Sequence, residues 1–271
     1  MNAPQPMNGP HPALFLGHGS PMHAIEPSRY SAAWTELGRS LPRPRAILAI
    51  SAHWYTRGTA VTAQPQPRTI YDFHGFPPEL YRLQYPASGD PQLAARVARL
   101  LAPTPVRLDL DWGLDHGSWA VLRYLYPSAD VPVVQLSVDG TAGPQAHFEL
   151  GQRLAPLRDE GVLVLGSGNV VHNLRAMQAP GATPWPWAER FDAAVRSAVL
   201  ANQPERLIGY AQLDGAAMSV PTPEHYLPLL YVMALRRAGE HVSLPVEGLD
   251  LGSISMLCVQ VGAASPPLAR A

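Results

Sequence analysis

Short apolar runs alternate with stretches of helical period along most of this chain. Ala13–Gly17, Ala46–Ser51, Ala60–Ala63, Val106–Leu110, Val131–Val138, Gly161–Gly166, Val242–Val246 and Ser253–Val261 read as strands. Several are unbroken β-branched or Leu-rich runs, the pattern of strands covered on both faces. Between them Ala32–Ser40, Gln92–Leu101, Ser118–Leu125, Pro144–Arg158, Trp187–Ala201 and His225–Ala238 read as helices. This alternation predicts one catalytic α/β domain over residues 13–262, its mostly parallel or mixed central sheet flanked by helices on both faces. The segments 1–12 and 263–271, rich in Pro and small residues, are expected to be disordered tails.

One stretch breaks the rhythm. Residues 64–86 carry Tyr71, Phe73, His74, Phe76, Tyr81 and Tyr85 among prolines, without a regular period. A long aromatic loop inside a compact domain is either a packed lid or a substrate wall. Tyr71, Phe73 and His74 are therefore candidate substrate contacts.

Composition narrows the function classes. With 46% hydrophobic and 15% charged residues, the chain can bury a sizeable core and is not globally disordered. Its formal net charge is -1, without a run of like charges, so neither nucleic acid nor an anionic membrane is an expected partner. All 20 basic residues are Arg, which removes Schiff-base chemistry and the Lys-dependent phosphate loop. Cys258 lies in an apolar run and reads as a buried structural thiol. No stretch is apolar enough to span a bilayer and no secretory pattern opens the chain, so the cytoplasm is the expected location.

Five histidines stand out because each sits among Gly, Pro or Ser where a strand is expected to give way to a loop. His18 lies in Gly17-His18-Gly19-Ser20, His53 in Ser51-Ala52-His53-Trp54, and His116 in Asp115-His116-Gly117-Ser118. His172 follows Gly166-Ser167-Gly168-Asn169, and His225 follows Pro221-Thr222-Pro223-Glu224. Open α/β sheets place their chemistry at the carboxyl ends of strands, so these rings are expected to assemble one metal site through the fold. His18 and His53, on what read as adjacent strands, make a half-site for a divalent first-row metal. His172 is a candidate for a fourth ligand or an acid/base, and His116 for orienting substrate or moving a proton. Ser20 and Ser167 do not stand in a Gly-x-Ser-x-Gly elbow, which argues against a serine hydrolase.

Taken together these segments resemble the class III extradiol ring-cleaving dioxygenases, in the DOPA 4,5-dioxygenase-like branch. The resemblance runs from about Ala13 to Val261. It is carried in order by Gly17-His18-Gly19-Ser20-Pro21, Ser51-Ala52-His53-Trp54, Asp72-Phe73-His74-Gly75-Phe76-Pro77, Leu114-Asp115-His116-Gly117, Gly166-Ser167-Gly168-Asn169 with His172-Asn173, and Thr222-Pro223-Glu224-His225. It implies that His18 and His53 are metal ligands and that His225 takes the third place, held by Glu in the wider superfamily. Glu224 is adjacent and could swing in. It implies His172 as the catalytic acid/base, able to approach the metal as a fourth ligand, and His116 as a second catalytic histidine near the substrate hydroxyls. Fe(II) is then the expected cofactor for activity, with Zn(II) able to occupy the same ligands, and a catechol and O2 are the expected partners.

Two other readings use the same residues. A zinc hydrolase would activate water on the histidine site with His172 or Glu224 as base. A non-catalytic metal-binding relative would need neither His172 nor His116.

Overall fold

The continuous apolar runs become strands with both faces covered. The computed structural model of the protein describes residues 9–262. The strands are β1 (Ala13–Gly17), β2 (Ala46–Thr56), β3 (Thr59–Thr62), β4 (Val106–Asp109), β5 (Val133–Asp139) and β6 (Val162–Gly168). They continue with β7 (Val242–Val246), β8 (Leu249–Asp250), β9 (Ile254–Ser255) and β10 (Cys258–Val261). Eight of them form one mixed sheet in the order β4-β3-β5-β2-β6-β1-β10-β7, and β8 and β9 pair separately. Strands β5, β2, β6 and β1 run parallel at its centre, while β3 and β10 join that centre antiparallel. The mixed sheet is the one expected.

Alternate residues of each central strand feed two separate cores. Phe15, Leu48, Ile50, Val162 and Val164 face one side, and Leu14, Leu16, Ile47, Leu163 and Leu165 face the other. The helices are α1 (Arg29–Ser40), α2 (Pro91–Leu100), α3 (His116–Leu125), α4 (Pro144–Arg153), α5 (Pro156–Asp159), α6 (Pro186–Leu200), α7 (Pro204–Ile208), α8 (Ala216–Ser219) and α9 (Leu227–Met233). Leu93 and Val97 of α2, Leu150 of α4, Phe191 and Val195 of α6 and most of α9 cover the first side. Trp34 of α1 and Trp119 and Val121 of α3 cover the second, joined there by Phe73, Leu80 and Tyr85 of the aromatic loop. No helix among the described residues is long and apolar enough to cross a membrane.

Several boundaries differ from those read in the sequence, each for a physical reason. The expected helix 144–158 divides at Pro156, which cannot donate the hydrogen bond that would carry it through. The expected strand 253–261 breaks between β9 and β10, where the Ser255 hydroxyl turns back to cap the Leu257 amide. His225 lies in the turn before α9 rather than at the start of a longer helix, and α9 ends at Met233. His53 is inside β2, which runs on to Thr56. Strands β1 and β2 are not neighbours either, because β6 is inserted between them. Of the expected N-terminal tail, residues 1–8 lie outside the described residues, but His11 is buried, with its carbonyl accepting from the Arg158 guanidinium at 2.7 Å. The expected tail 263–271 lies outside the described residues.

One buried acid sits away from the histidines. Asp192 of α6 accepts from the Ser255 hydroxyl at 2.5 Å, and burial pushes its carboxyl from 3.8 up to about 6. A folded-state value above the unfolded one gives stability that is complete below about pH 4 and is lost as pH rises through about 6. Asp192→Asn, which keeps the shape and cannot ionise, is expected to be more stable than the parent near neutral pH, by roughly 3 kcal/mol, and so to melt higher. Melting curves from pH 4 to 8 test this, and a variant destabilised equally at every pH would contradict it.

Candidate metal centre

The carboxyl ends of β1 and β6, together with the far half of β2, bring the histidines to one point. His18 follows Gly17 directly, and its amide donates to the Gly168 carbonyl of β6 at 3.1 Å. Gly17 has to be Gly, since a Cβ there would lie 2.7 Å from the Met256 backbone. His53 reaches the same point because β2 pairs with β6 only as far as Ser51↔Ser167 and then shifts register against β5 between Ile50 and Tyr55. His225 arrives from the opposite side, its carbonyl accepting from the Asn169 amide at 2.9 Å. A Cβ on Gly168 would meet that carbonyl at 2.1 Å, so the glycine that ends β6 is what lets the His225 turn sit down.

His18, His53 and His225 each present a ligating nitrogen within 4.8 Å of the others. The Nδ1 atoms face away from one another and are all engaged. That of His18 meets the Ser167 hydroxyl at 2.9 Å, that of His53 meets Asp72 Oδ2 at 3.1 Å, and that of His225 meets Glu224 Oε1 at 3.2 Å. The Nε2 atoms of His18 and His53 are 3.1 Å apart, and the buried Nε2 of His225 has no hydrogen-bond partner. Burial, reinforced by the surrounding imidazoles, holds His18 and His225 well below the usual histidine range. Against the lowering effect of burial, Asp72 raises the His53 imidazole, so that ring must give up a proton to bind. Rings whose Nδ1 atoms bond outward and whose Nε2 atoms face inward are, in the neutral form, the donor set of a transition-metal site with hydrogen-bonded outer partners. The residues fit a divalent metal ion.

His116 and His172 border this triad on different sides. His116 begins α3, whose first turn is capped by the buried Asp115 carboxylate accepting from the Ser118 amide at 3.1 Å. The Ser51 hydroxyl and the Gln135 amide each donate to Asp115 at 2.7 Å, tying the helix start to β2 and β5. The His116 ring lies 3.9 Å from that of His53 between centroids, and Phe73 meets it edge-on at 5.3 Å. Gly117 packs against the same ring of His53, where a Cβ would lie 2.8 Å from its Cδ2. His172 stacks flat on His225, with centroids 3.5 Å apart and 8° between the planes. Burial, with His53 adding to it, lowers the His172 imidazole to about 4. His172, Glu224 and His225 also form a group of potential ligands, as do His53, Asp72 and His116.

The aromatic loop divides among the roles expected of it. It is stitched onto α3, with the Trp119 indole donating to the Ile70 carbonyl at 2.8 Å and the Ile70 amide donating to Leu114 at 2.7 Å. Phe73 reaches His116. Tyr71 does not reach the histidines; its ring packs on Phe73, Tyr81 and Trp119 and its hydroxyl donates to the Leu83 carbonyl at 2.6 Å. His74 is exposed and makes no hydrogen bond or ring contact with the cluster, because its neighbour Phe73 takes the inward position. Three residues that sequence reasoning did not assign hold the rings in place. They are Ser167 on His18, Asp72 on His53 and His116, and Glu224 on His225, considered only as a possible ligand or base.

Comparison with known proteins agrees with this geometry. The family described as the catalytic LigB subunit of aromatic ring-opening dioxygenase matches residues 10–244. A protein of Escherichia coli K12 named 4,5-DOPA dioxygenase extradiol is 53% identical over 93% of this chain and 94% of its own length. A protein of the same name from Beta vulgaris is 41% identical over 84% of this chain and 87% of its own. The crystal structure of an uncharacterized protein from Escherichia coli K12 superposes with a TM-score of 0.82 at 50% identity, covering 93% of this chain and 100% of that one. The chain belongs to the LigB family of class III extradiol dioxygenases, enzymes that open aromatic rings with O2.

Proposed function

We propose that this chain is a ferrous-iron enzyme that opens a catechol bearing a DOPA-like side chain, with His18, His53 and His225 as ligands. The observation that carries the reading is the convergence of three Nε2 lone pairs whose Nδ1 atoms are all engaged elsewhere. The substrate class is supported by the names of the relatives, 4,5-DOPA dioxygenase extradiol. When bound, Fe(II) would acidify the diol and pass electrons between the catecholate and O2, whereas Zn(II) suits the same ligands without redox chemistry.

The remaining work falls to the side chains. His172 lies face to face with His225, so the lone pairs of the two rings lie in parallel planes and do not converge on one ion. That favours His172 as the acid/base, taking the proton of one catechol hydroxyl and later returning it to the opening ring. His116 has Nδ1 committed to Asp72 and keeps Nε2 for the other hydroxyl. Phe73, edge-on to His116 and 6% exposed, backs that ring and keeps water from behind it. The bond that opens lies beside the diol rather than between its hydroxyls.

To test the reading, the protein is purified without oxygen, loaded with Fe(II) or Zn(II) in parallel, and mixed with L-DOPA. Oxygen uptake matching substrate loss, with a coloured ring-opened product from the iron form alone, is the expected result. No uptake across a panel of catechols, with iron shown to be bound, would overturn it.

A further inference from the structure

Among the described residues, Asp72 is the carboxylate within hydrogen-bond distance of the rings of two of the five clustered histidines. Its Oδ2 lies 3.1 Å from His53 Nδ1 and 3.0 Å from His116 Nδ1, and its Oδ1 accepts the His116 backbone N–H at 2.8 Å. An ionised carboxylate only accepts, so both ring nitrogens facing Oδ2 carry hydrogen. On the neutral form of each ring Nε2 then keeps its lone pair. The loop that carries Asp72 is fastened beside the start of α3 by the Ile70–Leu114 and Leu114–Arg68 backbone bonds and by the Trp119 indole. The carboxylate is therefore fixed relative to His116 before it meets His53.

We propose that Asp72 is a positioning residue that joins the ligand His53 to the substrate-side His116 through a single oxygen, setting the tautomer and orientation of both rings. The inference rests on the ligand and substrate roles proposed above for those two histidines. It assigns the aromatic loop a purpose beyond walling the site, because the loop brings the acceptor that makes His53 a metal ligand. It also makes the two rings interdependent, since either one that turns away leaves the shared oxygen to the other. Outer partners of this kind orient the ligand ring and raise its basicity.

Asp72→Asn tests this with the shape kept. If the amide oxygen stays on the His116 backbone N–H, the NH2 group faces two Nδ1 atoms and forces both into the acceptor form, moving hydrogen to Nε2. The NH2 group cannot take the other place, because it would then face a donor. Nitrogen-15 NMR of the metal-free parent is expected to report hydrogen on Nδ1 of both His53 and His116, and the variant to report it on Nε2. Binding of Co(II) alone, followed by its visible spectrum, is expected to weaken ~10–100-fold. In a double-mutant cycle on turnover, Asp72→Asn is expected to cost less in a His116→Ala background than in the parent, because half of its task is already gone. Nδ1 of either ring without hydrogen in the parent would overturn the proposal. So would parental Co(II) affinity in a folded variant. The NMR and Co(II) readouts need no substrate, so their failure leaves ring opening standing. A parent with the expected tautomers but no oxygen uptake on catechols sinks the functional reading instead.

Discussion

Replacing His18 with Ala is expected to leave a folded protein that neither retains a metal ion nor opens a ring. His18 is the innermost of the three proposed ligands, 3% exposed, and its ring lies within 5.4 Å of the ring centroids of both His53 and His225. Without it two imidazoles remain, approached from two different sides of the sheet end. The loss of metal affinity is expected to exceed the ~100-fold that follows removal of an outer partner, since here a direct bond is lost. Turnover should fall below detection. The fold should survive, because the apolar core beneath β1 is untouched and the ring's side-chain contacts at hydrogen-bond distance are confined to Ser167 and the Nε2 of His53. Metal analysis after dialysis, an oxygen electrode and circular dichroism decide the matter together. A folded variant with the parental metal content would remove His18 from the ligand set.

His172→Ala is expected to separate binding from chemistry. The variant should keep its metal, because His225 is still aimed by Glu224 at 3.2 Å and His18 and His53 are unaffected. Turnover should fall ~10²–10⁴-fold, the usual contribution of a positioned acid/base. KM for the catechol should move far less than kcat, since the hydroxyls would still meet the metal and His116. If the metal is lost along with His172, the ring is a fourth ligand and the face-to-face stack with His225 opens when the ion binds. If kcat is unchanged, His172 is a packing partner of His225 and the proton goes elsewhere.

Local sequence carried the sheet well because the physics is local there. Runs such as Ala46-Ile47-Leu48-Ala49-Ile50 and Val162-Leu163-Val164-Leu165 have no polar face, and only a strand covered on both sides accommodates that. The histidines were legible for a related reason. His18, His53 and His116 each have a Gly or Ala neighbour, and Gly17, Gly117 and Gly168 prove to be places where backbone or the His53 ring presses within van der Waals distance. What could not be read was which strands are neighbours and which acceptors face the outward nitrogens. Those depend on β6 entering between β1 and β2 and on a loop folding over α3. His74 drew attention through its residue type and proved exposed, while Asp72, two positions earlier, holds two rings. The one available signal for Asp72 was its place in the motif Asp72-Phe73-His74-Gly75-Phe76-Pro77, whose chemistry is invisible until His53 and His116 are brought to it.

The fate of dioxygen decides most directly whether this chain opens a catechol ring. Iron-loaded protein and L-DOPA are incubated under ¹⁸O-labelled O2, the product is reduced at once to prevent exchange of its new carbonyl oxygen with water, and its mass is measured. Incorporation of both labelled atoms into a single ring-opened product is the expected result. A product that takes its oxygen from water, or a catechol returned unopened by an iron-loaded enzyme, would contradict it.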